Sequence, residues 1–207
     1  MSHTLHRQGC DESMRHDFVV LSRATRGINR DGSREKIRNY VKLAFRHNPV
    51  NIGNRKIGMI LTATEDEMIE RTEDGSGYNT VFAEKEDVAG FIKNLQEANY
   101  DLSVVCTGLE SSVREICDDC GLKIHSANLS LGVYGKTELL PPPEIMEITT
   151  MCGHHMLSPL LVEDVVKRIK TGKTTLDEGA KTLVYPCPCS CINILRVKEV
   201  LNKLIDK

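Results

Sequence analysis

Cys187, Cys189 and Cys191 fall within five residues, in the run Pro186-Cys187-Pro188-Cys189-Ser190-Cys191, and Cys152 stands in Met151-Cys152-Gly153-His154-His155. Soft thiolates packed this densely in loops suit a metal ion or an iron–sulfur cluster. Pro186 and Pro188 remove two backbone donors and stiffen the loop, which would hold alternate thiols outward. Cys152 lies six residues before a helix cap at Ser158, and Cys191 lies two before a cap at Asn193. Amide donors and the positive dipole end at helix N-termini stabilise anions, and thiolate-ligated clusters are anions that take amide hydrogen bonds at sulfur. The expected cofactor is therefore one [4Fe–4S] cluster held by Cys152, Cys187, Cys189 and Cys191. Zinc is the alternative, because His154 or His155 would complete a Cys3His site. Either histidine would also serve as a proton donor beside the centre.

The other cysteines read differently. Val113, Ile116, Cys117 and Cys120 recur at i, i+3, i+4 and i+7, so both thiols of Cys117-Asp118-Asp119-Cys120 belong to the apolar stripe of a helix. That motif closes its helix at Gly121, whereas a redox pair gains thiolate stability at a helix start. Cys106 ends an apolar strand and reads as packing. Cys10, with His3 and His6, is too sparse for a second centre.

Two further stretches carry motif-like residues. Gly172-Lys173-Thr174 lacks the first glycine of a phosphate loop and no strand precedes it, so it reads as a turn between helices. Thr107-Gly108 follows a strand and opens a helix, the position where α/β domains place ligands, and Ser130 to Lys136 would lie near the same edge. A small anionic ligand is the expectation there.

Hydrophobic residues make up 40% and charged residues 27% of the 207-residue chain, as in soluble globular proteins. No apolar run approaches the roughly 20 residues of a membrane helix, and Met1 to Arg7 carries no apolar stretch of a secretory signal. A cytoplasmic setting follows, in which thiols stay reduced and metal ligation is favoured over disulfides. The net charge of −2 hides an asymmetry of +7 in residues 1–60, −11 in 61–120 and +2 in 121–207. Absence of Trp and only 4% aromatics argue against nucleic-acid binding.

These sites need elements to position them. Phe18 to Leu21 reads as a first strand, and Ile37, Tyr40, Val41, Ala44 and Phe45 mark a helix capped at Ser33 and ended by Pro49. Lys56 to Thr64 and Thr80 to Ala83 read as strands, then a helix carries Val88, Phe91, Ile92 and Leu95. Leu102 to Cys106 is a strand, Ser112 with Glu115 has capping-box spacing, and Lys123 to Val133 is the last strand. Strands alternating with helices predict a layered α/β domain over residues 1–140, with a mixed, partly parallel sheet and flanking helices. A ferredoxin-like split βαβ sandwich is the alternative. Pro141-Pro142-Pro143 marks a boundary, and residues 144–207 predict a small helical domain that binds the metal or cluster. Its helices start at Ser158-Pro159, at Thr175 with Glu178, and at Asn193.

The functional expectation is an iron–sulfur protein of an oxygen-avoiding cytosol. It would act in electron transfer or in maturation of a larger redox or metalloenzyme, with the basic N-terminal block as docking face. Two alternatives differ in class: a zinc-stabilised binding or scaffolding module, and a thiol-dependent enzyme using the Cys187 to Cys191 loop.

Overall fold

The computed structural model describes residues 4–207; His3, read above with Cys10, lies outside them. A short helix α1 (Asp11–Met14) precedes β1 (Phe18–Arg23), and α2 (Arg34–Phe45) crosses to β2 (Asn51–Asn54) and β3 (Gly58–Met59). Helix α3 (Glu65–Arg71), β4 (Tyr78–Phe82), α4 (Lys85–Ala98), β5 (Ser103–Thr107) and α5 (Glu110–Asp119) follow. A 3-10 turn (Thr137–Leu139) leads into α6 (Pro143–Thr149), α7 (Pro159–Lys170), α8 (Leu176–Val184) and α9 (Ile194–Ile205). The protein is thus mixed α/β, with one five-stranded sheet and helices against it.

The sheet order is β3-β2-β4-β1-β5, and every ladder is antiparallel. Parallel pairing was expected from the helices between strands, and the topology explains its absence. The crossover β1–α2–β2 skips one position, which β4 fills from the opposite direction. The crossover β4–α4–β5 likewise straddles β1. Strands joined through helices are therefore never neighbours, which is the split βαβ order.

Alternation along the strands separates two cores. Phe18 and Val20 of β1, Ile52 of β2, and Tyr78 and Phe82 of β4 face α2 and α4, where they meet Tyr40, Val41, Phe91 and Ile92. Val19 and Val81 point the other way, into a core shared with Ile148, Leu157, Val162, Val165, Leu183, Val197 and Leu201. Helices on both faces make three layers. Residues on either side of Pro141–Pro143 meet in that second core.

Several local expectations change. Lys56 to Thr64 is not one strand: the chain turns at Arg55–Lys56, where Asn54 Oδ1 accepts from Lys56 N at 2.8 Å, and Gly58–Met59 pairs back on β2. The acidic stretch after it forms α3, opened by a capping box in which the Thr64 hydroxyl accepts from Glu67 N and Glu67 accepts from Thr64 N. Ser33 precedes α2 without capping it; its hydroxyl donates to the Arg30 carbonyl. Leu109 caps α5, so Ser112 lies inside the helix. Residues 123–133 form no strand. The three C-terminal starts stand as read: Pro159 is the first residue of α7, Thr175 accepts from Glu178 N, and Asn193 accepts from Arg196 N. Among the described residues no helix is long and apolar enough to cross a membrane.

Candidate functional site

The turn after α6 carries Cys152, and the loop between α8 and α9 carries Cys187, Cys189 and Cys191. Both loops enter the second core. Cys152, Cys187 and Cys191 are buried within it, and Cys189 packs at its margin, half-buried. The two loops meet near Cys152 and Cys187, where each thiol is the first influence on the other's acidity and the Met156 and His154 backbones favour the ionised form of Cys152. Donation from Cys187 is the chief reason the Cys152 thiol is held down to about 5, against the desolvation that opposes it. The same contact and burial push the Cys187 thiol up. Cys152 is thus the more acidic thiol of the pair.

The remaining two thiols lie close by. Cys189 Sγ is 3.4 Å from His154 Nδ1, across a sequence separation of 35 residues. Cys191 Sγ donates to the Cys189 carbonyl at 3.5 Å, and burial pushes the Cys191 thiol up to about 12. The charge of Cys152 reaches both Cys189 and Cys191. Cys152, Cys187 and Cys191 therefore share one core, with Cys189 at its margin. Among the described residues no group of three or more His, Cys, Asp or Glu side chains is placed as a metal-binding shell. His155 is exposed, with φ +52°, and its backbone N–H donates to the Cys152 carbonyl at 3.0 Å.

The sheet holds the cysteine loop in place, and this was not evident from sequence. Asn51 Nδ2 donates to the Ile192 carbonyl at 3.0 Å, and Asn79 Nδ2 donates to the Cys189 carbonyl at 2.8 Å. Between them Gly53, paired with Asn79, lets the Ser190 hydroxyl approach: a Cβ on Gly53 would collide with Ser190 Oγ, the Gly58 carbonyl and Met59 Cα. Ser190 itself takes a left-handed φ of +55°, which turns the loop between Cys189 and Cys191. Asn51 Oδ1, Asn79 Oδ1 and Ser190 Oγ are buried and have no hydrogen-bond partner. The one available signal was Asn51-Ile52-Gly53-Asn54 itself: two amides and a glycine in a strand are a poor fit to bare packing.

The N-terminal lead-in is the second missed contributor. Arg7 donates to the Cys191 carbonyl from Nη1 at 3.0 Å and from Nη2 at 2.7 Å, and its Nε lies 2.8 Å from Asp17 Oδ2.

Other predicted positions lie elsewhere. Cys106 is half-buried against the first core, and desolvation pushes its thiol up to about 12. Cys120 donates to the Ala89 carbonyl at 3.5 Å, and both it and Cys117 have thiols raised chiefly by desolvation. The Thr107-Gly108 turn is filled by the Phe18 ring, whose Cδ1 would stand 2.8 Å from a Cβ on Gly108. A cavity of about 660 Å³ lined by His6, Cys10, Ser130, Val133, Glu144 and Glu147 includes none of the four cysteines.

A split βαβ sheet sandwiched between two helical layers, with a cysteine-bearing loop bonded to one face, defines the molecule. Comparison with family models, with curated proteins and with solved structures finds no match.

Proposed function

We propose that Cys152, Cys187, Cys189 and Cys191 bind one [4Fe–4S] cluster, and that the chain acts in electron transfer or in maturation of a larger redox or metalloenzyme. The observation that supports this reading is the burial of Cys152, Cys187 and Cys191 in one apolar core, with Cys189 at its margin. The donor set fits the group: four soft sulfurs, low polarity around them, and backbone N–H groups of the kind that stabilise cluster sulfurs. Bound, the cluster would take up and release single electrons. The chain's own residues supply ligands, exclude water and leave Cys189 as the sulfur nearest solvent. Loading would have to separate the Cys152–Cys187 pair.

A second reading draws on the same pair. A thiolate buffered by a neighbouring thiol is also the arrangement of a nucleophilic cysteine with a resolving partner, so thiol chemistry at Cys152 is the alternative. Zinc, with His154 beside Cys189, is the third occupant to test.

Metal and sulfide analysis with an absorption spectrum, on protein purified without oxygen, separates the three. The cluster predicts about four irons and four sulfides per chain and a brown colour lost in Cys152→Ser. One zinc and no colour would replace it with the binding module. Metal-free protein that forms a Cys152–Cys187 disulfide with mild oxidant would favour thiol chemistry.

A further inference from the structure

The two ends of the sheet are finished differently. At one end β3 is only two residues long, Gly58–Met59. At the other, β5 pairs with β1 over five residues without a bulge, and among the described residues no strand lies on its outer side. A row of backbone N–H and C=O groups is therefore left open. Natural edges of this kind are blunted by shortness, lysine, proline or a bulge. Ser103-Val104-Val105-Cys106-Thr107 has none of these devices. Val104 and Val105 point to opposite faces and are 42% and 39% exposed, so neither helical layer covers the start of this strand.

The chain also carries a strand pattern that finds no ladder. Ala127, Leu129, Leu131 and Val133 alternate with Asn128, Ser130 and Gly132, yet residues 123–140 are exposed throughout. Leu131 is 85% exposed. Ser130, Gly132 and Val133 line one cavity with Leu5 and His6, and the neighbouring Thr4 hydroxyl lies 3.0 Å from that of Thr107. The segment thus stands at the Thr107 end of β5, not along its edge. Charge favours bringing segment and edge together. Residues 101–120 carry five acids (Asp101, Glu110, Glu115, Asp118 and Asp119) against Arg114 alone. Residues 121–136 carry Lys123 and Lys136 and no acid, so the two surfaces are complementary.

We infer that two copies of this chain pair by exchange, residues 127–133 of each adding a strand to the open edge of β5 of the other. Backbone hydrogen bonds hold the added strand, and its alternate leucines and valine pack beside one row of β5 side chains. A twofold arrangement lets each copy give one strand and receive one, so the pair closes without growing into a fibre. The inference goes beyond the proposed cluster and does not rest on it.

The test uses the full chain with reductant throughout, followed by sedimentation equilibrium and by backbone hydrogen exchange. A dimer is expected, with slowed exchange at residues 103–107 and 127–133 that fades as the protein is diluted. Val104→Lys charges the edge, and Leu129→Lys/Leu131→Lys charges the added strand. All three positions are exposed, so circular dichroism should show both variants folded. Each variant alone is expected to self-associate about tenfold more weakly than the unaltered chain, or worse. Mixed, they should form a heterodimer, because the intact segment of the Val104→Lys copy meets the intact edge of the other. A chain that is monomeric at every concentration, or a dimer that both variants keep, would overturn the inference. A monomer whose residues 103–107 are nonetheless protected would put the segment of its own chain on β5, and would overturn it too. None of these readouts depends on metal, so the cluster proposal is left to its own assay.

Discussion

Arg7 and Cys191 are joined by a forked hydrogen bond, guanidinium to carbonyl, although most of the chain separates them. The same arginine shares Asp17 with Arg196, whose Nη1 lies 2.7 Å from Asp17 Oδ2. Arg196 also reaches Glu147 at 3.1 Å and the Ser13 hydroxyl at 2.8 Å, and Ser13 is bonded to Glu147. Asn193 adds a bond to the His16 carbonyl at 2.7 Å. Residues 7–17 are thus tied to the start of α9 by a buried ionic network, and one arm of it ends on the cysteine loop.

Removing that arm has a defined consequence. Arg7→Met leaves Asp17 paired with Arg196 but strips one cation from a buried carboxylate and removes the forked Arg7 bond to the Cys191 carbonyl. Loss of one partner in a buried pair costs about 3–5 kcal/mol. Urea unfolding of the metal-free protein should show a loss of that order, and Cys191 should react faster with alkylating reagents under native conditions. An unchanged midpoint together with unchanged Cys191 labelling would show that the network does not hold the loop.

Gly53 gives a second prediction, because the obstruction to a side chain there is partly backbone. Gly53→Ala would drive a methyl into Ser190 Oγ and into the Gly58 carbonyl. Overpacking of this kind costs about 1–3 kcal/mol. Ser190→Gly removes only the first clash, so the double variant should recover part of the loss and not all of it. A double-mutant cycle measures the coupling. If the two effects simply add, the Ser190 hydroxyl is not what fills the space above Gly53.

How much of this could be read from sequence follows the nature of each signal. Pro159, Thr175 with Glu178, and Asn193 are local devices, and all three helices begin where those residues place them. The four cysteines were conspicuous by type and spacing; the fold buries Cys152, Cys187 and Cys191 in one core with Cys189 at its margin, and among the described residues it forms no group of three or more metal-binding side chains. Leu129, Leu131 and Val133 misled: alternation is the pattern of a strand, but these residues are exposed and no strand forms over 123–133. The sheet was half legible, since strand-helix alternation indicates crossovers without saying whether each skips a neighbour. Arg7, Asp17, Asn51, Asn79 and Arg196 were illegible as site residues. An isolated polar residue reads as surface, and only the tertiary partner that satisfies it reveals a buried role. Arg196 shows this well: it sits next to the apolar Val197 of α9 and is 1% exposed.

The Cys152–Cys187 pair makes the metal-free protein's stability depend on pH with a sign that can be worked out. The ordinary value for both thiols is 9.0; in the fold Cys152 is held down to about 5, first by the Cys187 thiol that donates to it, and Cys187 is pushed up by the same contact and by burial. Between about 5 and 9.0 the unfolded pair carries two protons and the folded pair one, so this pair's contribution to stability rises with pH across that window. Above 9.0 the unfolded pair has released both protons while the folded pair still keeps one, so the contribution declines again. The contribution therefore peaks near the ordinary thiol value. Cys187→Ala removes the donor, and the Cys152 titration should then move upward, because desolvation loses its main opponent. Ultraviolet thiolate absorbance of the reduced, metal-free chain follows this directly: one thiolate is expected at neutral pH in the native protein, lost in Cys187→Ala and in Cys152→Ser alike. A thiolate that survives in Cys187→Ala would assign the low value to the Met156 and His154 amides instead, and the pH window would then belong to the turn after α6 rather than to the pair.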